Sequence, residues 1–292
     1  MKSFQLAPGE APIPSRVDDD ERLIVMWLHG KSDNTRDAYF RDVLLFTDFV
    51  DKPLPQIGLD DIQAYADSLS GFKPATRARK LSSIKSLLAF GHRLGYLPVN
   101  VGAVVKSPAV KDTLAERILD ERDVAAMIRS EPNPRNQLLL DLLYKSGMRA
   151  SELCSVTWRD LRNRGDSLQV TIFGKGGRTR AILLPSRLSS RLKAFRAEAG
   201  SSGPVFQNTA GRALHRSQVY RIVRAAARRV GLSESVSPHW FRHAHASHAL
   251  DHGAPTHLVQ QTLGHASLAT TGRYTHARPK DSSALYIMDE KY

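Results

Sequence analysis

The 292-residue chain has a single cysteine, Cys154, so no disulfide can form within it and no thiol cluster can build a cysteine-rich zinc site. A reducing, cytoplasmic setting is the expectation. No apolar run approaches the roughly 18 residues of a membrane span, and residues 1–17 lack the apolar core of a signal peptide. Internal repeats, heptad arrays and low-complexity blocks are missing too, which leaves ordinary globular domains. Carboxylates are scarce: 29 Asp+Glu against 42 Lys+Arg give a net charge of +13 and a pI near 10.0. That deficit is local. Residues 1–112 hold 15 basic and 14 acidic side chains, residues 113–292 hold 27 and 15. A polyanion bound mainly by the C-terminal part is the simplest consequence, with a generally basic surface as the bland alternative.

With 41% hydrophobic residues, the length suffices for two modest domains with their own cores. Residues 1–17, with Pro8, Pro12 and Pro14, read as a flexible arm. Apolar residues at helical spacing predict four helices in residues 18–105: one over 18–29, one capped by Asn34 with Tyr39, Val43, Phe46 and Val50 inward, one over 59–69, and one over 74–94. Together they form a small bundle. At the start of the fourth, Lys73, Thr76, Arg77, Arg79 and Lys80 make a polar, basic turn beside unpaired backbone N–H groups, a place for DNA phosphates or a solvated face. Residues 106–116 have the proline and polar character of a linker. The second domain spans 117–292.

There the chemistry concentrates. Asp120 starts a helix through Arg129, and an apolar helix over 136–146 breaks at Gly147, so Arg149 follows at a helix junction where it faces a cleft or the surface. The period then changes to two: Leu168, Val170 and Ile172 alternate, Gly174-Lys175-Gly176-Gly177 turns the chain, and Thr179, Ala181 and Leu183 alternate back as a hairpin with Lys175 at its tip. A helix over 217–230 aligns Arg221, Arg224 and Arg228 opposite Val219, Ile222, Val223 and Ala226, a stripe suited to duplex DNA. Ser237 and Pro238 start a helix on which His239 and Arg242, at i and i+3, share a face. Gly264 ends another before His265, and Tyr274 follows nine residues on. Two imidazoles, a guanidinium and a phenol thus fall within one short segment.

Taken in order and spacing, Gly147-Met148-Arg149-Ala150-Ser151-Glu152-Leu153, Gly174-Lys175-Gly176, His239-Trp240-Phe241-Arg242-His243, Leu263-Gly264-His265-Ala266-Ser267 and Thr270-Thr271-Gly272-Arg273-Tyr274-Thr275-His276 resemble the tyrosine recombinase (phage integrase) family. Phe241 departs from the leucine common there, though a bulky apolar residue suits a core-facing position. The resemblance implies a mainly α fold with a small β-hairpin or sheet: an N-terminal four-helix core-binding bundle that contacts DNA, and a C-terminal α+β catalytic domain. It implies a DNA strand transferase that needs no metal or other cofactor and works through a 3′-phosphotyrosine. In it Tyr274 is the nucleophile, Arg149 and Arg242 grip the phosphate, Lys175 protonates the leaving oxygen, His239 acts as base and His265 donates a hydrogen bond. Glu152 could orient Arg149. The partner is double-stranded DNA with paired half-sites, bound at synapsis by a homo- or hetero-tetramer, with no membrane and a nucleoid-associated location.

The length, without a further N-terminal arm-binding domain, resembles Xer-type chromosome or plasmid dimer resolvases, with an integrase or transposon recombinase of a mobile element as the alternative. An apolar tail cluster, Ala284, Leu285, Ile287 and Met288, fits docking on a neighbouring protomer or folding back. Two readings of another class compete: a metallohydrolase using the pairs His239/His243 and His248/His252, which lacks the Glu of an H-E-x-x-H site, and a DNA-binding module without chemistry. Type IB topoisomerases share the chemistry without exchanging partners.

Overall fold

The computed structural model describes residues 19–174, 177, 179–199, 203–265, 271, 272 and 274. The proposed arm, Lys175 and the C-terminal tail lie outside the described residues. The chain divides into two compact units, Met1–Lys111 and Asp112–Tyr292.

In the first unit, helix α1 (Asp20–Leu28) starts where the Asp19 carboxylate accepts the Arg22 N–H at 2.7 Å. Helix α2 (Asp33–Val50) begins two residues earlier than expected, with Ser32 rather than Asn34 at the N-cap position. Asn34 lies inside the first turn. Helices α3 (Leu59–Ser68) and α4 (Pro74–Arg93) follow, the latter with proline in its first turn, where no N–H partner is lost. Leu23 and Trp27 of α1, Val43 and Phe46 of α2, Ile62 of α3, and Ile84, Leu87 and Leu88 of α4 are almost fully buried together. Each such burial contributes roughly 1.5–3 kcal/mol against chain entropy, enough to fix the bundle without a disulfide.

The second unit is built around α6 (Pro134–Ser146). Leu138, Leu139, Leu140, Leu142 and Leu143 are all at most 3% exposed, so this helix is apolar on nearly every side and takes neighbours on several. Those are α5 (Glu121–Arg129), α8 (Ser186–Ala199) and α10 (Pro238–Asp251). After α6 come α7 (Ala150–Ser155) and an antiparallel meander of β1 (Leu161–Arg164), β2 (Ser167–Phe173) and β3 (Thr179–Leu183), in spatial order β1-β2-β3. The sequence shows the hairpin but not β1, in which only Leu161 is buried. On β2 the inward residues are the expected Leu168, Val170 and Ile172. On β3 the expected face is reversed: Ile182 pairs with Val170 and Arg180 with Ile172, so Arg180 and Ile182 point inward while Leu183 is 64% exposed. The second unit also contains α9 (Arg216–Arg229) and α11 (Thr256–Leu263).

Two glycines set the geometry where these helices meet. Gly147 ends α6 with φ +59°, and a Cβ there would lie 2.6 Å from the Leu263 side chain and 2.7 Å from that of His245. Only glycine lets α6, α10 and α11 converge at that point. Gly264 ends α11 with φ +66° and a Cβ position 3.2 Å from the Arg180 side chain.

Candidate active site

Arg149 occupies the N-cap of α7. Its backbone N–H donates to Glu152 Oε2 at 2.7 Å, and its guanidinium Nη1 donates to Oε1 of the same carboxylate at 2.9 Å. Glu152 is 5% exposed and therefore needs its charge matched. Burial alone would raise its carboxyl, but hydrogen bonds from the Arg180 side chain and the Arg149 backbone, with both guanidinium charges, hold it below the usual carboxylate range. The expected link from Glu152 to Arg149 is thus present in the geometry, and a second arginine joins it.

Arg242, on the first turns of α10, is 4% exposed and is held by backbone carbonyls. Nη1 donates to the Gly147 carbonyl at 2.6 Å and Nη2 to the Leu263 carbonyl at 2.7 Å. Burial first, then the neighbouring charge of Arg149, pull its pKa down to about 10, so it remains a cation at neutral pH. His239 lies one turn earlier and is exposed. Partial desolvation, followed by the charges of Arg242 and Arg149, lowers its pKa. Phe241, at the position that departs from the common leucine, is fully buried.

His265 follows Gly264, its Nδ1 hydrogen-bonded with Thr271 Oγ1 at 2.9 Å. Burial and then Arg242 and Arg149 push its imidazole down to about 4. It is neutral near pH 7, and one ring nitrogen can still donate. Its ring stacks on Tyr274 at 6.3 Å between centroids and 6° between planes. Tyr274 is 5% exposed, and its hydroxyl is hydrogen-bonded with His243 Nδ1 at 2.9 Å. Arg149, His239, Arg242, His265 and Tyr274 are therefore brought together. Two guanidiniums, Arg149 and Arg180, share the Glu152 carboxylate while a third, Arg242, rests on carbonyls beside them, an excess of positive charge suited to an oxyanion such as a phosphodiester.

Arg180 and Thr271 belong to this constellation without having been singled out from sequence, and His243, weighed there only as a metal ligand, belongs to it as the partner of Tyr274. Arg180 was hidden by the reversed face of β3; the signal for His243 was its position immediately after Arg242. The histidine pairs considered for zinc disperse: His248 is buried with Tyr144 Oη 2.9 Å from its Nδ1, His252 pairs with Glu121 at 3.1 Å, and His243 meets Tyr274.

The basic turn of α4 separates in a different way. Lys73 is exposed, while Thr76 and Arg77 are half-buried. Lys80 is not a surface group: it is 6% exposed, with Nζ 3.3 Å from Asp42 Oδ1 and 5.4 Å from the Phe72 ring centroid. Arg79 makes a two-pronged contact with the same carboxylate, and Ser83 Oγ adds a bond of 3.2 Å. The expectation that Lys80 faces phosphate is corrected by Asp42, which is 1% exposed and draws it inward, whereas the Arg79 side chain stays 44% exposed while pairing with the same carboxylate. Helix phase carried the clue, because Lys80 lies one turn before Ile84 on the core-facing side. Arg221, Arg224 and Arg228 form the exposed stripe expected on α9, with Arg228 paired to Glu234 at 3.0 Å.

Fold and site together define a mainly helical, two-unit protein with a tyrosine among clustered arginines and histidines. Residues 116–281 match the phage integrase family, and residues 25–95 match the phage integrase N-terminal SAM-like domain. A tyrosine recombinase XerC of Xanthomonas campestris pv. campestris is 32% identical over 257 residues, 84% of this chain and 79% of the relative. A tyrosine recombinase XerD of Pseudomonas putida is 32% identical over 278 residues, 88% and 91% of the two chains. The chain belongs to the phage integrase family of tyrosine recombinases. Among solved structures, a XerH site-specific recombinase bound to difH substrate has a TM-score of 0.69 at 22% identity, covering 86% of this chain and 77% of that one. A lambda integrase dimer bound to a COC′ core site has a TM-score of 0.73 at 17% identity, covering 92% and 80%. These share the fold.

Proposed function

We propose that this chain is a site-specific DNA recombinase of the Xer type, acting in chromosome or plasmid dimer resolution and associated with the nucleoid. The observation that carries the reading is the buried Arg242 guanidinium, held on two carbonyls beside Arg149 and within electrostatic reach of the Tyr274 phenol. A cation buried on neutral partners favours an anion at the open side of the site. The similarity to XerC and XerD over most of the chain supports the resolvase role.

Tyr274 attacks the scissile phosphorus, its oxygen forming the new P–O bond as the P–O5′ bond breaks, which leaves a 3′-phosphotyrosine and a 5′-hydroxyl. A free phenol ionises near pH 10, so its proton must be taken up; His239, kept neutral by its surroundings, is the base. Arg149 and Arg242 donate to the non-bridging oxygens, where negative charge grows. Lys175 gives its proton to the departing 5′-oxygen, and neutral His265 donates a further hydrogen bond. Because Tyr274 is 5% exposed, its hydroxyl must turn away from His243 to reach DNA. The phosphotyrosine retains the energy of the broken phosphodiester, so a different 5′-hydroxyl reverses the step and exchanges strands. In this reading residues 18–105 form a DNA-binding bundle, 106–116 a linker and 117–292 the catalytic domain, with two protomers per crossover site and a homo- or hetero-tetramer at synapsis.

The test is covalent capture. Nicked duplexes randomised over their central segment are incubated with the protein, and the DNA that stays attached under denaturing conditions is sequenced. The expected outcome is a defined sequence linked to Tyr274, while Tyr274→Phe binds that DNA and forms no adduct. Undiminished adduct formation by the variant would remove Tyr274 as nucleophile.

A further inference from the structure

Arg180, on β3, touches two of the elements from which the site is built, α7 and the end of α11. Its side chain is 10% exposed, and its terminal nitrogens donate to both oxygens of Glu152, at 3.0 and 2.7 Å. Its Nε donates to the Thr262 carbonyl in the last turn of α11 at 2.7 Å, and its aliphatic stem lies 3.2 Å from where a Gly264 side chain would begin. Arg242 takes the next carbonyl, Leu263, so two guanidiniums together satisfy carbonyls that the end of α11 leaves without helical partners. His265 hangs from that same end.

The consequence for Arg149 is geometric. Its side chain is 38% exposed and carries a long, rotatable stem. The single hydrogen bond from the Arg149 side chain to a carboxylate three residues along would fix little unless that carboxylate were itself fixed, and the Arg149 backbone N–H holds only one of its oxygens. Arg180 fixes it from the opposite side with a two-pronged contact that determines the plane of the carboxylate as well as its location. We propose that Arg180 is a positioning residue for strand cleavage: it holds Glu152, and through it Arg149, in register with the α11 turn that carries His265. This rests on the phosphotyrosine reading above. Lysine cannot replace it in full, since one ammonium cannot span both carboxylate oxygens and the Thr262 carbonyl in the same geometry.

The experiment uses the full chain and the DNA recovered by covalent capture. Single-turnover adduct formation at saturating DNA is measured for Arg180→Met, Arg180→Lys, Arg149→Ala and the Arg149→Ala/Arg180→Met double variant, with DNA affinity and cooperative melting measured alongside. A misplaced catalytic group typically costs on the order of 10²-fold, so Arg180→Met is expected to slow adduct formation by about that factor with affinity held within about twofold. Arg180→Lys recovers part of the rate. The decisive readout is coupling: because Arg180 acts through Arg149, the double variant is no slower than Arg149→Ala alone. Defects that multiply, or an unchanged rate in Arg180→Met, overturn the proposal while leaving the phosphotyrosine reading intact. Failure of the unaltered protein to form any adduct overturns both. If Arg180→Met does not fold, Arg180→Lys combined with Arg149→Ala decides the same question by the same coupling.

Discussion

Two buried charge clusters, one in each unit, are made from the same residue types and do opposite things. Around Asp42, Arg79 and Lys80 converge with the hydroxyl of Ser83, and the carboxylate is consumed by its neighbours. Around Glu152, Arg149 and Arg180 share one carboxylate, while Arg242, beside them, is held by two carbonyls that carry no charge. The first arrangement ties α2 to α4. The second keeps cationic character at a cleft, at the expense of stability that a better-matched partner would have supplied. An arginine or lysine is thus no guide to function until its anion is identified.

The strongest way to break that comparison is to remove the first cluster's carboxylate. Asp42→Ala would strand the ammonium of Lys80, whose side chain is 7% exposed, away from its counter-charge. Losing one partner of a buried pair costs about 3–5 kcal/mol, a large part of a domain's stability. Chemical denaturation should show that loss, whereas adduct formation by the protein that remains folded should change by no more than about twofold. A loss of cleavage rate at unchanged DNA affinity would mean that the Asp42 cluster also serves the chemistry, and the distinction between the clusters would fall.

Much of the second cluster could be read from the amino-acid string because glycine and helix starts mark it. Gly147 announces the junction at Arg149, Ser237 and Pro238 announce the helix of His239 and Arg242, and Gly264 announces the turn before His265. Each is a local backbone requirement, visible without tertiary knowledge. Arg180 was not legible, since the face that a strand buries depends on its register with a partner, and a shift of one residue inverts it. Lys80 was misread for a related reason: its charge suggested a surface, but its phase with Ile84 along α4 placed it inside. The pairing of His243 with Tyr274 joins residues 31 apart in sequence and depends on how the segment after α11 returns to α10.

Acid should separate the clusters further. Burial, with smaller contributions from Arg242 and His248, lowers the His245 imidazole to about 4 despite a favourable hydrogen bond with the Tyr144 backbone. The unfolded chain takes up this proton near pH 6.5 and the folded chain only near 4, so the neutral ring's contribution is fully present above about 6.5 and is lost as pH falls towards 4. At about 1.36 kcal/mol per pH unit, the loss reaches about 3 kcal/mol. Urea unfolding measured between pH 7.5 and 4 should show the decline, and His245→Asn should flatten it. An equally steep decline in that variant would assign the acid sensitivity to other groups, His265 first.

The smallest expected effect concerns cations that lie in neither cluster. Arg224 is exposed on α9, whereas Arg228, four residues on, is paired with Glu234 at 3.0 Å although both side chains are about 70% exposed. An exposed pair contributes little to folding, roughly 0–1 kcal/mol, but it offers a competing anion that DNA must displace. If α9 meets phosphate, Arg224→Ala should weaken binding across DNA sequences alike and lower the dependence of log affinity on log salt by about one. Arg228→Ala should lower it by less, because part of that charge is already answered within the protein. Titrations of the two variants at several salt concentrations make the comparison directly. Equal slopes would show that Glu234 gives way entirely to DNA; slopes unchanged from the unaltered protein would take the stripe off the phosphate backbone.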